Sequence, residues 1–156
     1  MTSYADKEPK RPTKNIHLLK RILQEIKANE DNFNYLYIID DTEPLLSKSA
    51  ARRLRKHSCG TTGCVAGWAL ALSPQLQNAV IGHDLNSVEL MTIIGKRLGL
   101  TGLEARFLFC PWQADVETSA SRFTNTDAID RLEYIISGND VAEYPTFKAP
   151  IMTSWY

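Results

Sequence analysis

From Asn15 onward, Ile16, Leu19, Ile22, Leu23 and Ile26 recur at steps of three and four, while Lys20, Arg21, Gln24 and Lys27 fall on the other side. That period predicts an amphipathic first helix ending near Asn29. In Phe33 to Ile39 the aromatic residues Phe33, Tyr35 and Tyr37 alternate with Asn34 and Leu36 ahead of Asp40 and Asp41. This suits either a short strand or an aromatic-rich loop, and periodicity does not separate them. Leu45 to His57 reads as a polar helix or turn. The nine-residue run from Cys64 to Leu72 is apolar on every face, which predicts a buried central helix with Thr61 or Thr62 as its N-cap. Its small residues Ala66, Gly67, Ala69 and Ala71 let neighbouring helices approach closely, and Pro74 fits its end because proline cannot continue the backbone ladder.

Asn86 and Glu89 have capping-box spacing and predict a helix from Ser87 to Leu98, stopped by Gly99. Thr101 and Glu104 repeat the signature and start a short helix through Phe109, which Pro111 ends. Asp115 to Thr124 reads as a loop. Thr126 is the expected cap of a last helix that turns Ile129, Leu132, Ile135 and Ile136 inward, with Gly138 as its left-handed stop. The fold class predicted is all-α: one compact domain, residues 15–138, with five or six helices around the central apolar one. Residues 1–14 hold two prolines and several charges with little to bury, and are expected to form a flexible tail. Residues 139–156 hold Pro145 and Pro150 and no helical period, which predicts an extended C-terminal arm.

A length of 156 residues suits one domain, and 44% hydrophobic with 23% charged residues is an ordinary globular composition. The longest apolar run is about half of what a membrane-spanning helix needs, so no membrane partner is expected. The N-terminus lacks the apolar stretch of a secretory signal, which predicts a cytoplasmic protein. Three cysteines in that compartment are expected to be reduced thiols. Eighteen Lys and Arg balance eighteen Asp and Glu, so no global field draws the chain to phosphate or an anionic membrane. The balance is uneven along the chain. Residues 1–78 hold twelve basic and eight acidic side chains, and residues 79–156 hold six and ten, so the halves carry +4 and −4.

The segment Cys59-Gly60-Thr61-Thr62-Gly63-Cys64-Val65-Ala66-Gly67-Trp68-Ala69 resembles the C-G-T-x-x-C-x-A-G-W-A signature of a group of small uncharacterised bacterial and phage proteins. Asn32-Phe33-Asn34, Leu98-Gly99-Leu100-Thr101, Glu104-Ala105, Leu108-Phe109, Pro111-Trp112 and Arg131 to Ile136 fit the same group in order, so the likeness covers roughly residues 15–138. It implies a helical fold and a bacterial or phage origin, and it carries over no catalytic residue. The arm from Asn139 departs from the pattern.

Of the chemical candidates, Cys64 in the first turn of a helix would sit where the positive dipole end favours a thiolate, with Cys59 beside it in sequence and His57 as a base. The four-residue gap between the cysteines is not the spacing of redox or zinc sites, and a buried cysteine is commonly a small hydrophobe, so a structural role is the better reading. Cys59, Cys64, Cys110, His57 and His83 show no ligand spacing, so neither a metal nor another cofactor is expected. Gly60, Thr61 and Gly63 lack the lysine a phosphate loop requires. Met91 to Leu108 fits the apolar and turn positions of a helix-turn-helix, but its second helix offers one cation and no amide for base edges, which favours a packed hairpin.

Two surface candidates remain. Lys48, Arg52, Arg53, Arg55 and Lys56 form a basic cluster suited to phosphate or to an acidic protein surface, although such a run is more often a solvated face. Tyr144, Phe147, Ile151, Met152, Trp155 and Tyr156 are costly to expose, and either fold back on the domain or dock on another protein. The expected function is a non-catalytic protein-interaction module, of the phage type that binds and inhibits a host protein. A nucleic-acid-binding regulator using the helical hairpin is the alternative, and a cysteine-dependent enzyme ranks below it.

Overall fold

The computed structural model describes residues 13–28, 33, 39–40, 46–56, 62–109, 124–145 and 147. Among these, seven α-helices follow one another: α1 Ile16–Ala28, α2 Lys48–Arg55, α3 Val65–Leu72, α4 Pro74–Val80, α5 Ser87–Arg97, α6 Gly102–Phe109 and α7 Asn125–Ile136, then a single 3-10 turn, Val141–Glu143. Two two-residue strands, β1 Ile39–Asp40 and β2 Thr62–Gly63, pair antiparallel, and Phe33 bridges Gly63 in parallel. The fold is all-α in class, with this small β pair as its one departure among the described residues.

All eight residues of α3 are buried, and Trp68 has no exposed surface. Around α3 pack α1, α2, α4, α5 and α6, while α7 lies on α1 and α6. α1 buries Leu18, Leu19, Ile22 and Ile26, and α7 buries Ala128, Leu132 and Ile135. Each of these helices is too short to be stable alone in water, so burial against α3 and its neighbours holds them.

The local signals that chose the helix ends explain where the sequence reading holds and where it does not. Asn86 accepts from the Glu89 amide at 2.8 Å and donates to the Glu89 carboxylate at 3.1 Å, and Thr101 and Glu104 exchange bonds of 3.0 and 3.2 Å. The Thr101–Glu104 pair is a full capping box, whereas at Asn86 the Glu89 carboxylate returns to the side-chain amide and not to the backbone N–H. Six helices surround or adjoin α3 among the described residues, within the expected five or six, and the one the sequence reading did not mark, α4, arises because Pro74 both ends α3 and opens α4. Ser73 caps α4 by accepting from the Leu76 amide, and proline at the first helical position has no amide to leave unpaired. α3 is capped at Cys64, not Thr61 or Thr62, because Thr62 and Gly63 are taken up by the strand pair. α7 starts at Asn125 with Thr124 and Asp127 as its box, so the expected cap at Thr126 lies two residues too late.

Both predicted ends of the domain shift. Thr13 and Lys14, assigned to a flexible tail, are docked: the Asn15 amide donates to the Leu98 carbonyl at 2.9 Å and Lys14 pairs with Glu104 at 3.0 Å. Residues 1–12 lie outside the described part of the chain. At the other end, the described residues 139–145 and 147 are not an extended arm. The Tyr134 hydroxyl donates to the Asp140 carbonyl at 2.7 Å, the 3-10 turn follows, and Val141 and Phe147 are buried. The prolines forbid a regular helix there but not a compact turn.

Candidate interaction surface

α2 is built from two faces. Ala50, Ala51 and Leu54 are buried toward α3, and Ser47 caps the helix by accepting from the Ala50 amide at 3.0 Å. Lys48, Arg52, Arg55 and Lys56 are exposed. They recur at steps of four, three and one, so they share one stripe about 12 Å long, and the basic residues of the last turn lie where the helix dipole favours cations. No carboxylate among the described residues pairs with these four side chains. Arg53 is half-buried and points away from the stripe's centre. Of the predicted basic cluster, four members form a continuous outward face and Arg53 flanks it.

The aromatic candidates behave differently. Tyr144 is half-buried and Phe147 is 4% exposed, and together with Phe107 and Tyr134 they form a cluster with ring centroids 4.9 to 6.0 Å apart. The Arg131 guanidinium lies in the middle, 4.5 Å from the Phe107 ring centre, 5.1 Å from Tyr144 and 5.9 Å from Phe147. Its Nη1 donates to the Phe107 carbonyl at 3.0 Å. Phe147 is therefore a core residue and Tyr144 packs against the core with part of its surface open, which corrects the assignment of Phe147 as a partner contact. The cause is Arg131, a buried cation whose favourable neighbours are aromatic faces and a carbonyl. The signal for it was present in the sequence, since Arg131 falls at an inward position between Ala128 and Ile135. Burial raises the Tyr144 phenol above its ordinary value, against the pull of Arg131, and Asp130 and Asp127 push it further up. Trp155 and Tyr156 lie outside the described residues.

Cys64 is 1% exposed. Burial raises its pKa from 9.0 to about 11, although the amides of Gly67 and Ala66 at the start of α3 act in the other direction. The dipole argument for a thiolate is thus outweighed by desolvation, and the thiol stays neutral at physiological pH. The unfolded chain releases this proton near pH 9 and the folded chain near 11, so the folded state loses stability as pH rises through that window. The expected loss is about 1.4 kcal/mol per pH unit, seen as the difference between wild type and Cys64→Ala in denaturant titrations from pH 8 to 11. His57, Cys59 and Cys110 lie outside the described residues, and His83 is exposed. Among the described residues no group of three His, Cys, Asp or Glu side chains is placed to hold a metal.

The helix-turn-helix candidate corresponds to α5 and α6. No residue of α6 is exposed, and Glu104, Ala105, Phe107, Leu108 and Phe109 are buried. Gly102, Leu103 and Arg106 are half-buried, so α6 offers a groove a single cation and no fully exposed side chain, and a packed hairpin fits the pair better. A polar cleft of about 250 Å³ lies beside it, lined by Lys14, Thr101, Leu103, Glu104 and residues 138–141. Both Glu104 oxygens are engaged, one by the Thr101 amide and one by Lys14, so the cleft presents a closed ion pair and no poised base. No family model, curated protein or solved structure matches the chain. Among the described residues, no helix is long and apolar enough to cross a membrane.

Proposed function

We propose that this protein is a non-catalytic interaction module that acts in the cytoplasm, with the α2 stripe as its contact surface and an acidic surface of another protein as its partner. The observation that carries the reading is the row of Lys48, Arg52, Arg55 and Lys56 on the outer face of a helix anchored to the core, with no carboxylate paired to it among the described residues. The neutral, buried Cys64 speaks against a thiol enzyme. The same stripe would suit a phosphate backbone, and nuclease treatment in the capture below separates that occupant from an acidic protein surface. The resemblance of residues 59–69 to bacterial and phage proteins suggests a bacterial host protein as the target, inhibited by occupation of its acidic face.

Affinity capture from bacterial lysate, with nuclease treatment and with the Arg52→Glu/Lys56→Glu protein in parallel, tests this reading. Reversing two charges at the centre of a complementary interface is expected to lower capture of the specific partner more than about tenfold, and Lys20→Glu on α1 is expected to leave it unchanged. Equal capture by both proteins, or a captured species that nuclease removes, would count against it.

A further inference from the structure

The outer face of α7 is the chemical opposite of α2. Thr126, Asp130, Glu133 and Ser137 are its exposed residues and recur at steps of four, three and four, so two carboxylates lie on a stripe of otherwise short side chains. Asp127 flanks them, and Asp140 and Glu143 continue the acidic surface across the turn. Within this stretch the cation Arg131 is buried, and Lys27 meets Glu133 at 2.6 Å as the one described ion pair there.

The two stripes lie on different flanks. α2 packs on α3, α7 packs on α1, and α3 and α1 pack on each other between them. A molecule with zero net charge but a basic flank and an acidic flank repels no copy of itself, and it presents each face of one copy to its complement on the next. The side chains also match in reach: long lysines and arginines on α2 meet short aspartates, threonine and serine on α7.

We infer that the α2 stripe of one copy docks on the acidic face of α7 and residues 140–143 of a second copy, giving head-to-tail self-association. The contact is heterologous, so successive copies add in an open chain or close into a ring. The inference rests on the reading of α2 as an interaction surface and names a second occupant for it, one that an acidic partner displaces.

Sedimentation equilibrium of the full chain at about 0.02 M and about 0.5 M salt reads the effect directly. Wild type is expected to exceed the monomer mass at low salt and to fall to the monomer at high salt. Arg52→Glu/Lys56→Glu and Asp130→Lys/Glu143→Lys, all at exposed positions, are each expected to be monomeric at both, because the first leaves the α2 stripe with two cations and two anions and the second cuts the acidic face from five negative charges to one net. An equimolar mixture of the two variants keeps one native contact, the unaltered α2 of the second on the unaltered α7 of the first, and is expected to recover association as a one-to-one dimer at low salt. A monomeric wild type at low salt, or a mixture that stays monomeric, would overturn the proposal. A monomeric wild type whose α2 variant still loses the captured partner defeats self-docking alone, and retention of that partner defeats the interaction reading.

Discussion

Deleting residues 139–156 is expected to destabilise the domain by about 4–9 kcal/mol, comparable with the usual total stability of about 5–15 kcal/mol. Burial of Val141 and Phe147 contributes roughly 1.5–3 kcal/mol each, and each edge contact of Phe147 and Tyr144 with Phe107 adds about 0.5–1.5 kcal/mol. The deletion also strips the Tyr144 and Phe147 rings from around the buried Arg131 guanidinium. Circular dichroism with thermal melting checks this. The amphipathic pattern closes at Gly138, and on that pattern alone the truncated chain should melt like the full one.

Gly99→Ala is expected to cost about 2–4 kcal/mol. Gly99 has φ +69°, a left-handed conformation that costs a side-chain-bearing residue about 1–2 kcal/mol. A Cβ there would also lie 1.9 Å from the Thr13 carbonyl oxygen and 2.7 Å from the Lys14 Cα, both backbone atoms that cannot turn aside. The Thr13–Asn15 segment must lift, which breaks the Asn15 to Leu98 hydrogen bond, worth about 0.5–1.5 kcal/mol, and separates Lys14 from the buried Glu104. Gly138→Ala is the matched control: its φ is +82° but nothing lies within 4 Å of the added carbon, so only the conformational strain remains. Denaturant unfolding of the two variants separates strain from collision. A Gly99→Ala cost no larger than that of Gly138→Ala would place the N-terminal segment off the α5–α6 turn.

What was legible in the sequence was local. Apolar spacing located α1, α3 and the inward faces of α5 and α7, and the Asn86 cap and the Thr101 box marked two helix starts, because these signals act within four residues. Pro74 was misread as a stop alone, since one residue type both ends a helix and begins the next. The larger misses are long-range. Nothing near Tyr144 announces that Arg131 lies under it, and nothing near Lys14 announces Glu104 ninety residues on; both depend on helices brought together by the fold. At the candidate surface the charges of α2 were readable, but their alignment on one outward stripe, with Arg53 set apart, required the helix to be seated on α3.

Hydrogen–deuterium exchange of the full chain, alone and with the partner recovered by capture, tests the central claim most directly. Amides of α2 fray in the free protein because the helix is short and packs on one side, and contact along the stripe slows them. The account predicts added protection centred on Lys48–Arg55 that disappears in the Arg52→Glu/Lys56→Glu protein. Protection confined to other elements, with exchange in α2 unchanged by the partner, would contradict it.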